Sequence, residues 1–406
     1  MLRAPKGTDD ILPPTSRVWR QLLSLWEDWS ARFGYDLTLT PLFESTEVFA
    51  RGVGESTDVV QKQMYTFADK KGRSLTLRPE GTASVVRAYI QAGSLGEMKA
   101  SYSGPMFRYE QPQAGRRRQF YQIGVEYLGT DSAAADAEVI ELGYRYLTDA
   151  GVPGLVVMLN SLGDSACRPS YLETLNNWLG ERQEELCADS VTTMAINPMR
   201  VLDCKVCADV VVGAPVPADY LCGPCEERSS EVRDYLSTRE VPYTDAPRLV
   251  RGLDYYTRTT FEFVATSLDA AQNAVGGGGR YDGLAEALGG PRTPGVGLAL
   301  GLDRIVLARP PSGTDVVLDA FVVAQPEQRD RALTLVSQLR MAGLRSDATS
   351  AARSLKAQMK VAQRSAVCYV VIVDDSDVVN VRCVASGEDD IQTSFQEVAA
   401  WLMNHL

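Results

Sequence analysis

The segments of this chain that read as β-strands lie far apart, with helical stretches between them, and that spacing constrains the fold most. Residues 35–40, 74–78, 119–128, 248–264 and 293–300 read as strands. Their order predicts an α+β fold with a mostly antiparallel sheet, not repeated strand–helix–strand units. Tyr35–Thr40 alternates polar and apolar residues until Pro41 removes a backbone donor, so it fits an edge or an interface. Upstream, Pro13-Pro14 and a Thr15 or Ser16 cap open an amphipathic helix carrying Trp19, Leu22, Leu23, Trp26, Trp29 and Phe33, stopped at Gly34.

At roughly 150 residues per domain, 406 residues predict two or three domains. Residues 1–310 read as one domain interrupted by an inserted subdomain over 168–235, which is Cys-rich, polar and punctuated by proline. Arg309-Pro-Pro-Ser-Gly-Thr314 marks a linker at 309–316. Residues 317–406 then alternate strand and helix in α/β fashion: strand Ala320–Ala324, helices Arg329–Met341 and Ser354–Arg364, strand Tyr369–Val373.

What the chain lacks limits its chemistry. Its single histidine, His405, excludes Ser-His-Asp and Cys-His catalysis and His-rich metal sites, leaving carboxylates, arginines, tyrosines and backbone. A net charge of −11 excludes a generally basic nucleic-acid coat. No run approaches the ~18 apolar residues of a membrane span, and the start lacks a signal-peptide core, so a cytoplasmic protein without membrane contact is expected. The eight cysteines then read as thiols or metal ligands, not disulfides.

Four segments are richer in polar residues than a fold requires. Thr76–Thr82 ends a strand with Glu80, Gly81 and Thr82, a set suited to gripping an amine or to capping the helix that begins near Ala83. Phe107–Glu126 reads as strand, arginine-rich loop and strand, with Arg108 suited to bidentate phosphate binding. Phe120, Gln122, Gly124 and Glu126 share one strand face, where buried polar groups need partners; a solvated hairpin is the plainer alternative. Gly276–Gly279 gives up side-chain packing, most commonly for close approach to a ligand, and Arg251 and Arg280 beside tyrosines suit an anion clamp. Lastly, Gly295–Gly301 enters a helix with Arg304 in its first turns, a place suited to adenine or phosphate.

Together these segments resemble the class II histidyl-tRNA synthetases over nearly the whole chain, most specifically at Thr76–Thr82, Gly104–Gly129, Arg251-Gly-Leu-Asp-Tyr-Tyr256 and Gly278–Gly283. The resemblance implies an α+β class II catalytic domain, the Cys-rich insertion and a C-terminal α/β anticodon-binding domain. It implies activation of L-histidine by ATP with Mg²⁺ to histidyl-adenylate and pyrophosphate, then transfer to the 3′ end of tRNA(His). Tyr35–Glu44 resembles motif 1, the homodimer interface. Arg108 takes the α-phosphate, Arg304 the γ-phosphate and adenine side, and Glu110, Arg116, Arg118 and Phe120 complete the ATP site. Glu80, Thr82 and Gln122 hold the substrate amino and carboxylate groups, Glu126 and Tyr256 the imidazole nitrogens, and Tyr255 and Tyr281 line that pocket. Arg251 neutralises the reacting carboxylate and α-phosphate. With Arg108 and Glu80 it forms the implied catalytic set, Glu80 or an adenylate oxygen being the candidate base for transfer. Tyr121 stands where many members have histidine, and its side chain is expected to point away from Gln122.

Two further readings rest on spacing. Cys204-Lys-Val-Cys207 and Cys222-Gly-Pro-Cys225, 14 residues apart, fit a four-thiolate Zn²⁺ ribbon or four reduced thiols, with Cys167, Cys187, Cys368 and Cys383 as packing residues. Arg353, Lys356, Lys360 and Arg364 recur on one helix face opposite Leu355, Met359 and Ala362. With Arg116 and Arg117 this stripe is the expected tRNA contact, or else a solvated face. A competing expectation is a non-catalytic, histidine-sensing regulatory paralogue of histidine biosynthesis.

Overall fold

Eight strands form the main sheet of the computed structural model, which describes residues 2–54, 57, 59–94, 96–110, 115–268, 273–310, 318–349, 353–384 and 390–406. In sheet order they are Asp36–Leu37, Met98–Phe107, Gln119–Leu128, Gly295–Gly301, Ala274–Arg280, Thr257–Ala265, Leu155–Ser161 and Tyr243–Asp245. The six central strands pair antiparallel. Each edge strand joins in parallel. This is the antiparallel α+β arrangement expected from the sequence.

Period-two alternation sends Ile123 and Val125 to one face, where they pack on Val139, Ile140 and Tyr146 of helix Ala133–Asp149. Helix Thr15–Arg32 covers the same core with Leu22 and Trp26, the latter edge-on to Tyr146 at 5.2 Å. Full burial of such side chains contributes roughly 1.5–3 kcal/mol each. No side chain caps this helix, contrary to the Thr15 or Ser16 expectation. Carbonyls of the proline turn serve instead, Leu12 O accepting from Ser16 N and Pro14 O from Arg17 N.

Two strand expectations need shortening. Only Asp36–Leu37 of segment 35–40 pairs with the sheet, at its edge, before Pro41. Segment 248–264 becomes a strand only at Thr257. Its first half is a loop held by non-strand bonds: Asn160 Nδ2 donates to Leu249 O at 2.9 Å, and Asn197 Nδ2 to Asp254 Oδ1 at 2.8 Å. Ser74–Leu77 is a strand, but of a separate three-stranded sheet with Phe43–Ser45 and Tyr65–Ala68.

The unit Met1–Pro310 contains the inserted segment. Its helix Arg168–Gly180 buries Tyr171, Leu175 and Leu179 against Val201 and Val211 in a core of their own. Helix Gly223–Thr238 closes the segment, and its Val232 and Leu236 rejoin the main core.

In the unit Pro311–Leu406, Leu318–Ala324 lies between the parallel strands Ser346–Ala348 and Val367–Val373. Val378–Cys383 and Ile391–Ser394 then extend the sheet antiparallel, a meander the α/β reading did not anticipate. Helix Arg329–Met341 packs on Val322 through Leu335 and Leu339, and helix Leu355–Arg364 covers Phe321 and Val323 through Ala362. Of the expected linker, residues 311–316 lie outside the described residues.

Candidate active site

The polar face of strand Gln119–Leu128 runs from half-buried Phe120 and Gln122 to Glu126, its deepest member, with no exposed surface. Gly297 stands opposite it in register, where a Cβ would lie 1.8 Å from Glu126 Oε2, so only glycine leaves room for the carboxylate. Thr82 Oγ1 donates to Oε1 at 2.7 Å, and the Tyr281 hydroxyl donates to Oε2. Desolvation outweighs these bonds and pushes the Glu126 carboxyl up to about 8.

Glu80 is also buried, and it caps the next helix: Thr82 N donates to Oε2 at 2.7 Å and Ala83 N to Oε1 at 2.9 Å. The capping expectation is thus met by Glu80, and its carboxylate has lone pairs beyond those the two backbone donors use. Burial raises its pKa against those bonds. Gln122 Oε1, by contrast, is buried with no partner among the described residues. A buried amide oxygen left unpaired costs ~1–3 kcal/mol, which a donor from a ligand would recover.

Arg108 donates through Nε to Pro79 O at 2.9 Å, and its guanidinium lies 5.3 Å from the Phe120 ring centroid. Among the described residues no carboxylate forms an ion pair with it. Arg304 donates through Nε to Ala274 O at 2.6 Å from the first turn of helix Leu302–Ala308. Arg251 lies against Gly277, where a Cβ would come within 2.9 Å of its guanidinium, and it pairs with Glu262. Tyr255 sits between Tyr256 and Tyr281, at 4.7 and 5.7 Å between ring centroids. The predicted histidine-pocket residues Thr82, Glu126 and Tyr281 are thus joined by hydrogen bonds.

Other expectations need correction. Arg280 is not an anion clamp: wholly buried, it bonds Asp136 at 2.6 Å, Asp282 at 3.1 Å and the carbonyls of Thr130 and Ser132. Strand alternation turns it away from the tyrosines. Arg117 is paired with Asp9 at 3.1 Å and Asp303 at 3.2 Å, so it ties the N-terminal segment down. Arg118 stacks on Tyr109 at 3.9 Å, while Arg116 is half exposed, 3.7 Å from Glu110. Tyr121 packs on Trp19 at 5.5 Å, on the face opposite Gln122 as expected.

Sequence reasoning missed Tyr102 and Glu262. The Tyr102 ring fills the space that Gly81 and Gly124 vacate, and its hydroxyl is buried without a partner among the described residues. Those two glycines, on separate elements, were the available signal. Glu262 had none, since its importance lies only in facing Arg251.

The four-thiolate ribbon is also corrected. Cys204 and Cys207 gather with Cys187, whereas Cys222 and Cys225 gather with Cys167 and Asp164. The two C-x-x-C pairs serve different clusters, and Cys167 and Cys187 are not mere packing residues. In the second unit Lys356, Lys360 and Arg364 are exposed on helix Leu355–Arg364, while Arg353 precedes its first turn.

A family profile described as Histidyl-tRNA synthetase matches residues 7–165 and 225–305, and one described as Anticodon binding domain matches 315–405. A histidine–tRNA ligase of Desulforudis audaxviator is 47% identical over 382 residues, covering 92% of this chain and 91% of that protein. One of Koribacter versatilis is 43% identical and covers 100% and 97%. The crystal structure of apo S. aureus histidyl-tRNA synthetase superposes with a TM-score of 0.78 at 35% identity, covering 99% of this chain and 100% of that one. A Bacillus halodurans chain described as an ATP phosphoribosyltransferase regulatory subunit/histidyl-tRNA synthetase, at 20% identity and TM-score 0.66, shares the fold.

Proposed function

The chain belongs to the histidyl-tRNA synthetase family and is an ATP-dependent histidine–tRNA ligase, and from that premise we propose how its residues divide the work. Gln122 carries the reading, because its buried Oε1 has no donor among the described residues. The α-ammonium of histidine supplies that donor, held between Gln122, Glu80 and Thr82. Glu126, Tyr256 and the flanking Tyr255 and Tyr281 receive the imidazole. An amino acid without ring nitrogens leaves the remaining hydrogen-bonding capacity of Glu126 and Tyr256 unused, a cost of roughly 1–3 kcal/mol.

In the first step a substrate carboxylate oxygen attacks the α-phosphorus of ATP and pyrophosphate leaves. Two anions approach, so fixed positive charge must stand where the transition state develops. Arg108 and Arg251 supply it, while Arg304, Arg116, Arg118, Glu110 and Phe120 seat the nucleotide. Glu262, beside Arg251, is a carboxylate that would help hold Mg²⁺ brought in with ATP, and the ion would add positive charge at the phosphates. In the second step the terminal ribose hydroxyl of tRNA(His) attacks the activated carbonyl, AMP leaves, and Glu80 or an adenylate oxygen takes the proton. Arg353, Lys356 and Lys360, all exposed, together with Arg116, are suited to tRNA phosphates. Arg117 is not carried into this set, because Asp9 and Asp303 already pair with it.

The enzyme acts as a homodimer in the cytoplasm. Supporting the dimer, the edge segment exposes Leu37 at 65%, Leu39 at 78% and Phe43 at 51%, an apolar run that favours a second copy. A regulatory, non-catalytic role finds no support in the arginine set.

Calorimetric titration tests the central assignment. Gln122→Leu weakens histidine binding by about tenfold or more while the chain stays folded. Unchanged affinity contradicts the assignment.

A further inference from the structure

The stretch between the two halves of the family-profile match, 166–224, begins and ends at one cluster of soft ligands. Asp164, Cys167, Cys222 and Cys225 each offer an atom within 4.8 Å of all the others. Cys167 Sγ lies 3.6 Å and Cys222 Sγ 3.9 Å from Asp164 Oδ1. Zinc bound at ~2.3 Å by tetrahedral sulfur ligands separates them by about 3.8 Å, so the donors already stand near the edges of such a tetrahedron.

The surroundings are built for it. Gly163 adopts φ +66, and a Cβ there would lie 2.5 Å from Cys167 Sγ. Asp164 N donates to that sulfur at 3.3 Å, a bond that stabilises thiolate. Arg258 lies 3.3 Å from Asp164 Oδ2, and Arg168 extends from the residue after Cys167 to Tyr256 O at 2.7 Å. Cys222 and Cys225 bracket the start of helix Gly223–Thr238, whose first turn is a Gly-Pro. A Cys-Gly-Pro-Cys turn at a helix start also suits a dithiol redox pair. Such a pair has no use for Cys167 and Asp164, which come from a segment 58 residues away in the chain.

We propose that Asp164, Cys167, Cys222 and Cys225 form a structural zinc site that clasps the two ends of the inserted segment. Its position explains its use. The family profile breaks off at 165 and resumes at 225, so the ion joins the common domain to the insertion at both junctions. Through Arg168 and Arg258, which bond Tyr256 O and Gly163 O, the clasp also steadies the loop carrying Tyr255 and Tyr256. Three thiolates with one carboxylate select zinc over magnesium or calcium.

Metal analysis of full-length protein purified without chelators tests the site. The expected result is zinc at one equivalent or more per chain, with one equivalent lost in Cys167→Ser. Absence of zinc, wild-type zinc content in Cys167→Ser, or a Cys222–Cys225 disulfide in zinc-free protein overturns the proposal. Zinc that disappears with Cys204→Ser but persists unchanged in Cys167→Ser assigns the Cys187 cluster instead, and also overturns it. Should Cys167→Ser fail to fold, cobalt substitution of Asp164→Cys provides an independent reading. Thiolate-to-cobalt absorption rises by about a third as three sulfur ligands become four; unchanged absorption contradicts the ligand set.

Discussion

Tyr281 donates its hydroxyl to Glu126, tying the residue that follows strand Ala274–Arg280 to strand Gln119–Leu128 across the intervening strand Gly295–Gly301. With Thr82 on the other oxygen, the carboxylate is aimed rather than merely buried. Glu126→Ala therefore raises the histidine KM in pyrophosphate exchange by about tenfold or more, ~1–3 kcal/mol. Tyr281→Phe, which keeps the ring and removes only the donor, raises it less. Equal KM values in Glu126→Ala and wild type would contradict this geometry.

The same carboxylate sets a pH dependence. Its folded pKa is raised to about 8, so the native state holds a proton that the unfolded chain releases above about 4.5. Stability of the ligand-free protein accordingly falls as pH rises through that window. Glu126→Gln, which cannot titrate, flattens this segment of the profile. Urea unfolding of both proteins from pH 5 to 8 measures it, and parallel profiles count against the assignment.

The role proposed for Arg251 is to meet charge that appears only in the transition state. Arg251→Ala lowers kcat for adenylate formation by ~10²–10³-fold while histidine affinity measured by calorimetry changes little. Glu262→Gln shifts the ATP KM more than the histidine KM. A loss confined to histidine binding in Arg251→Ala would assign that residue to the amino-acid pocket.

Arg280 belongs to the fold, not the chemistry. Arg280→Met leaves Asp136 buried and without its closest ion pair, destabilising the protein by about 3–5 kcal/mol in urea unfolding. Protein that remains folded keeps its substrate KM values. Undiminished stability with lost ATP binding would restore the anion-clamp reading.

The mostly antiparallel sheet could be read from the spacing of the strand segments, and one shared strand face from period-two alternation, which reports a face directly. That period alone puts Phe120, Gln122 and Glu126 on one face. Partners brought by distant strands were not readable: nothing near Arg280 announces Asp136, and nothing near Arg251 announces Glu262. Alternation also says nothing about loops, which is why 248–256 read as strand although side-chain amides hold it. The thiols show the same limit. Spacing proposed Cys207 with Cys222, whereas the fold gathers Cys167 with Cys222 by bringing together the two ends of the insertion.

The most direct test of the account is ATP–pyrophosphate exchange by purified protein, run with histidine and with each other amino acid in turn. The account predicts exchange with histidine alone, lowered ~10²–10³-fold in Arg251→Ala. Histidine binding without exchange would contradict it and return the weight to a regulatory role.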